Sequence, residues 1–229
     1  MTAVLGIGYN GDSWLDWSWV TDHSGEIQQR LREHVYLALV AVGIGLVIAF
    51  PIAILAHRRR RLLTPILIMA GVLFTIPSIA ALSILQPYFG LSATTALIPL
   101  VLYTLVILVR NIVVGLDAVP SDVIDAADGM GFTGWRRLTR VELPLAVPGI
   151  ASGLRIALVT TIGLVPITVI VAQGGLGVFM QDGLNRDFRT PLVVGLVLSV
   201  LLAIVADITV QIIGWCVTPW THRRRGTVA

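Results

Sequence analysis

Few side chains in this sequence are placed to do chemistry. Arg155 and Asp207 are the two formal charges inside long apolar runs. A charge carried to mid-bilayer depth is costly and often marks function. Arg155 lies about ten residues into one run, and Asp207 a similar distance from the end of another. At 1.5 Å per residue both are roughly 15 Å deep. Matched depth permits an ion pair that ties two helices near an inner gate and offsets much of the desolvation. Separate snorkelling of each charge to nearby water is the other open reading.

The second concentration of polar residues runs from Gly115 to Glu142. Val119-Pro120-Ser121-Asp122 has the pattern of a helix start, with proline setting φ and Ser121 or Asp122 able to cap exposed N–H groups. Val123 to Asp128 is helix-prone, and small Ala126 and Ala127 leave a flat face open to another protein. Gly129, Gly131 and Gly134 then break the helix. Their Gly-x-Gly-x-x-Gly spacing matches a dinucleotide fingerprint only formally, because no strand precedes it and no βαβ unit surrounds it. His23, His34, His57 and His222 are far apart, so no metal site is expected. No Ser/His/Asp or paired-carboxylate set can be assembled, and the chain does not read as an enzyme. A phosphate-binding loop needs a lysine, and the sequence has none. No cofactor is therefore expected on this chain, and any ATP used would be bound elsewhere.

What must position these residues is a membrane. Of 229 residues 56% are hydrophobic and 13% charged, with mean hydropathy +0.88. An ordinary soluble domain carries about 25% charged residues, so too little polar surface remains to cover a soluble globule. The net charge of +3 and pI near 9.6 come from arginines in short clusters between apolar runs. That arrangement fits the flanks of membrane spans in contact with lipid headgroups rather than a nucleic-acid-binding face. The acidic first 34 residues do not have the form of a cleavable signal peptide. The lone Cys216 reads as a small buried hydrophobe.

Five spans are expected in an all-α chain. They are Val35–Ala56, Leu62–Leu85 with Pro65 and Pro77, Ala93–Val109, Leu145–Ala172 with Pro148 and Pro166, and Leu192–Val217. Gln86–Gly90 reads as a turn, and Gln173–Thr190 as a glycine-rich loop. An N-terminus outside leaves eleven arginines inside and four outside, which follows the positive-inside rule. The division is then an external segment 1–34, a transmembrane region 35–217 with a cytoplasmic loop 115–144, and a basic cytoplasmic tail 218–229. Trp14, Trp17 and Trp19 form either an amphipathic stretch on the outer interface or a simple anchor.

Within the spans, Pro77 removes a helical N–H and should kink the second one beside Thr75 and Ser78. Its freed carbonyls and the two hydroxyls either line a translocation path or serve packing. Gly149-x3-Gly153 fits close helix–helix contact. Gly174, Gly175 and Gly177 stand at the outer end of the fourth span. They form an external gate, a contact for a binding protein, or a flexible turn.

Asp125-Ala126-Ala127, three residues, Gly131, nine residues, then Val141-x-Leu143-Pro144 resembles the EAA loop of ATP-binding-cassette importer permeases. Asp125 and Val141 depart from the family's Glu and Ile while keeping charge and apolar character. Thr75–Ala80, Val109-Arg110-Asn111, Glu142–Ala146 and Gly174–Gly177 narrow the resemblance to osmoprotectant permeases, which serve glycine betaine, choline, carnitine or proline betaine. The resemblance implies a type I importer permease fold and a coupling helix in the loop, docked on a separate ATPase subunit. It also implies a second permease copy or a sister permease, and an external substrate-binding protein. A permease for an amino acid such as methionine or for a sulfonate is the nearest rival. A gradient-driven carrier would need buried ion sites or inverted repeats, and neither is evident.

Overall fold

The computed structural model describes residues 15–219, which form helices joined by short connections. Trp14 and the arginines of the tail lie outside the described residues. A short α1 (Trp17–Asp22) leads into α2 (Ser24–Arg58), which at 35 residues is about 52 Å long and overreaches the expected span at its N-terminal end. The run read as one second span is two helices, α3 (Arg60–Thr75) and α4 (Ser78–Phe89), bent by 86°. The break falls at Ile76-Pro77, where both residues take extended backbone angles. Pro77 has no N–H to continue the helix and disfavours a helical residue before it.

Four sequence expectations need correction. Gln86–Gly90 is not a turn, since α4 continues through Pro87 to Phe89 and ends at Gly90 with φ +67°. Arg110-Asn111 does not end the third span, because α5 runs from Ala93 to Asp117. The Asn111 amide donates back to the Ile107 carbonyl at 2.8 Å, so its polarity is absorbed by the helix itself. The stretch after Gln173 is not merely a loop, since Gly177–Asn185 forms a helix, called α9 below. Cys216, expected to be buried, is exposed.

The remaining elements are α6 (Ser121–Gly129), α7 (Gly134–Arg137), a π-helical turn over Leu138–Glu142, α8 (Leu143–Leu164), a 3-10 segment over Val165–Val171, and α10 (Arg189–Val217). The π turn has a local cause. Pro144 cannot donate to the carbonyl of Arg140, and the Leu143 N–H reaches Leu138 instead. Four long apolar helices and the bent α3–α4 pair therefore stand where five spans were expected.

Helix α5 is the centre of the bundle, and small residues let its neighbours close on it. Ala49, Ala53 and Ala56 of α2 pack fully buried with Leu108, Ile112 and Leu116 of α5. A methyl on Gly149 of α8 would come within 2.7 Å of the Gly115 Cα of α5, and one on Gly153 within 2.3 Å of Asn111. The Gly149-x3-Gly153 spacing thus serves close backbone approach, the packing that replaces the hydrophobic drive between helices in lipid.

Candidate coupling and translocation site

The candidate residues fall at three levels of the bundle: the arginine-rich end, mid-span, and the opposite end. At the arginine-rich end, α6 starts at Ser121 without a side-chain cap; Pro120 occupies the cap position, and neither Ser121 nor Asp122 bonds back. Asp125 and Ala126 lie on its exposed side, while Ala127 is turned into its own chain and buried. The flat face expected from both alanines is thus carried by Ala126 alone. The helix ends in a paired backbone cap. The Gly131 N–H donates to Asp128 O at 2.9 Å and the Phe132 N–H to Ala127 O at 3.1 Å, with Gly131 at φ +78°. That left-handed position is what glycine supplies without strain. A methyl there would meet nothing within 4 Å, so the constraint is conformational rather than steric.

Val141 belongs to the π turn, Leu143 packs on the core and Pro144 stands in the first turn of α8. Between them Glu142 is almost fully buried, and around it runs a chain of ionisable side chains that sequence reasoning missed. Arg60 grips Asp117 with two bonds of 2.6 and 2.9 Å. Asp117 accepts from His57 Nδ1 at 2.7 Å, and His57 Nε2 faces Glu142 at 3.2 Å. The Arg137 Nε donates to Glu142 at 2.7 Å, and its Nη1 to Asp128 at the end of α6. The chain links α3, α5, α2, the π turn, α7 and α6. The links made by Arg60 and His57 span 57 to 85 residues and left no local pattern to read.

Beside it the surface is apolar and aromatic. Met130 and Trp135 are strongly exposed, Arg58 lies 5.5 Å from the Trp135 ring centre, and Arg136 lies 4.8 Å from that of Phe132.

At mid-span Arg155 and Asp207 meet. Nε and Nη2 of Arg155 donate to the two Asp207 oxygens at 2.8 and 2.7 Å, a two-pronged pair joining α8 to α10. At the α3–α4 break Thr75 is exposed and its hydroxyl donates to Val72 O at 2.7 Å. Pro77 is exposed and Ser78 half-buried at the start of α4. The Ile76 carbonyl freed by the break is taken by the Tyr103 hydroxyl of α5 at 2.6 Å. Tyr103 is thus the side chain that satisfies the kink.

At the far end Gly174 and Gly175 have φ of +121° and +49°. A methyl on Gly175 would lie 2.6 Å from the His34 Cβ, and one on Gly177 2.4 Å from the Pro166 Cα. The glycines are wedged between α2 and the 3-10 segment rather than forming a loose turn. His34, fully buried, donates through Nε2 to Ile162 O at 3.0 Å, and Glu33 accepts from the Gly175 N–H at 3.3 Å. Trp19 of α1 stacks on His23 and meets Phe179 and Phe188 edge-on, while Trp17 is exposed.

This arrangement is that of a polytopic helical membrane protein with a broken span and a structured loop at its arginine-rich end. Residues 41–214 match the family described as the binding-protein-dependent transport system inner membrane component. The osmoprotectant import permease protein OsmW of Salmonella typhimurium is 36% identical over 82% of this chain and 90% of its own. The glycine betaine/carnitine/choline transport system permease protein OpuCB of Bacillus subtilis is 29% identical over 86% of this chain and 91% of its own. Among solved structures, a chain of the inward-facing MetNI methionine ABC transporter superimposes with a TM-score of 0.73. It is 23% identical and covers 84% of this chain and 96% of that one. That likeness defines the fold, an ABC importer permease. The chain belongs to the family of binding-protein-dependent transport system inner membrane components, and it is a multi-pass membrane protein.

Proposed function

We propose that this chain is the permease subunit of an ATP-driven importer for osmoprotectants, with glycine betaine, choline, carnitine or proline betaine as cargo. The relatives named above, an osmoprotectant permease and a glycine betaine/carnitine/choline permease, support the cargo class.

The observation that carries the coupling role is α6 itself. It is a short helix held at its C-terminal end by its own chain, with Asp125 and Ala126 outward and Met130 and Trp135 exposed beside it. Exposed apolar and aromatic side chains at the water end of a membrane protein suit a protein partner. That partner is a separate ATPase subunit, which binds and hydrolyses the ATP. The charge chain through His57 and Glu142 then passes a push on α6 to α2, α3 and α5, so that closure of the ATPases moves the spans. Arg155 with Asp207 ties α8 to α10 during that movement.

A second permease, identical or homologous, completes the path along the α3–α4 break with Thr75, Pro77 and Ser78. The glycine end at Gly174, Gly175 and Gly177 faces outward toward the substrate-binding protein. The arginine-rich end is cytoplasmic, as the arginine distribution requires.

Uptake of labelled glycine betaine in cells with and without the chain, with unlabelled choline, carnitine and methionine as competitors, tests the cargo. Loss restored by complementation is the expected result, whereas unchanged uptake in a strain lacking other betaine carriers moves the cargo to an amino acid or a sulfonate. Asp125→Ala and Gly131→Val should insert normally and abolish uptake. Retained uptake would mean that α6 is not the docking element.

A further inference from the structure

The Arg155–Asp207 pair is joined to itself, yet it is not sealed. Each side chain keeps about a third of its surface exposed, 33% and 34%. Arg155 stands twelve residues past the start of α8 and Asp207 ten residues before the end of α10, roughly 15–18 Å inside. At that depth an open ion pair turned to hydrocarbon is strongly unfavourable, so its open side faces water or polar matter. Beside it lies a cavity of about 370 Å3, bordered by Ser152, Ile156, Val159 and Thr160 along one face of α8. The Ser152 hydroxyl donates back to Pro148 O at 3.0 Å and so turns lone pairs outward.

We propose that this cavity is a transient binding site for a small zwitterion, with Arg155 taking its carboxylate and Asp207 its cationic end. The pair is neutral as a whole but strongly dipolar. A ligand of one sign would leave a charge uncompensated in a low-dielectric site, whereas an antiparallel zwitterion compensates both. Arg155 engages the pair through Nε and Nη2, leaving the Nη1 side for a carboxylate, the partner a guanidinium recognises in two-pronged fashion. Ile156 and Val159 offer no hydrogen-bond acceptor, which suits a methylated onium better than a primary ammonium with three N–H groups to satisfy. The inference rests on the importer reading and adds to it a place within the spans where the cargo pauses.

The test uses the purified permease–ATPase complex without the binding protein, and equilibrium binding of labelled glycine betaine and of labelled tetramethylammonium, which lacks the carboxylate. The wild-type complex should bind betaine more tightly. Arg155→Gln should weaken betaine binding about tenfold or more and leave tetramethylammonium within about threefold, since only the carboxylate contact is lost. Asp207→Asn should weaken both. Arg155→Lys, which keeps the charge next to Asp207, guards against loss of the fold and should fall between wild type and Arg155→Gln. Equal losses for the two probes, or unchanged betaine binding in both Arg155→Gln and Asp207→Asn, would reduce the pair to a structural tie. Absence of betaine binding by a wild-type complex that imports betaine in proteoliposomes would overturn the site and leave the importer reading intact. Absence of betaine import altogether would fail the cargo reading, and the zwitterion site with it.

Discussion

The two ends of the bundle are held by opposite means. The arginine-rich end is fastened by polar and charged contacts: Arg60, Asp117, His57, Glu142, Arg137 and Asp128 join six elements. The far end is fastened by shape: Gly174, Gly175 and Gly177 bring backbone against backbone where no side chain fits. Charged contacts between long side chains can break and re-form with small energy differences near water. Close-packed backbone cannot yield by half a methyl group without shifting a whole element. The arginine-rich end is thus built from adjustable contacts, and the glycine end from fixed ones.

The comparison breaks most readily at the glycine end. Gly177→Val should be the most damaging single change, because its side chain would overlap the Pro166 backbone. Overpacking against immovable atoms costs about 3 kcal/mol or more, a large part of a domain's stability. The expected result is little folded protein in detergent extracts, and a normal yield would show that the 3-10 segment gives way.

At the charged end Glu142→Gln should cost less, on the order of 2 kcal/mol, for the buried charged hydrogen bonds to Arg137 and His57. Its mark would be functional: ATP hydrolysis by the assembled complex that no longer rises with loaded binding protein. A variant that folds poorly but stays coupled would reverse the contrast between the ends. Arg60→Ala removes only the exposed outer link of the chain and should shift the unfolding midpoint by about 0.5 kcal/mol or less.

The smallest effect concerns α1, packed at the glycine end. Asp16 caps it, accepting from the Ser18 hydroxyl at 2.6 Å and from the N–H groups of Ser18 and Trp19. The Ser18 hydroxyl foremost, with these N–H groups, outweighs desolvation and holds the carboxyl below its ordinary value of 3.8. A lowered carboxylate stabilises the fold above the unfolded-state value, and that contribution is lost as pH falls through the folded one. Acidification below pH 3.8 should therefore loosen α1, seen as a change in Trp19 fluorescence in a variant keeping that indole alone. Asp16→Asn should show no such acid step.

Much of this was legible in the chain order. Apolar length fixes spans because bilayer thickness does, and Gly131 marks the end of α6 because a left-handed cap calls for glycine. Arg155 and Asp207 were conspicuous because charge is rare in such runs. The helix over Gly177–Asn185 was hidden by its glycines, which favour turns until tertiary contacts outweigh their flexibility. Likewise α5 outran Arg110-Asn111 because Asn111 bonds its own helix, a choice that composition does not announce.

What only the tertiary structure decided is partnership. Sequence alone left it open that Arg155 and Asp207 each reached water separately, and it gave no sign that His57 stands between Asp117 and Glu142. Nor did it show that Tyr103 answers the carbonyl freed at Pro77, or that Gly175 abuts His34. Spans, caps and breaks follow from neighbours within a few residues. Pairings across 27 to 142 residues depend on how the helices rotate and slide against one another, and that is settled by the packing of all of them together.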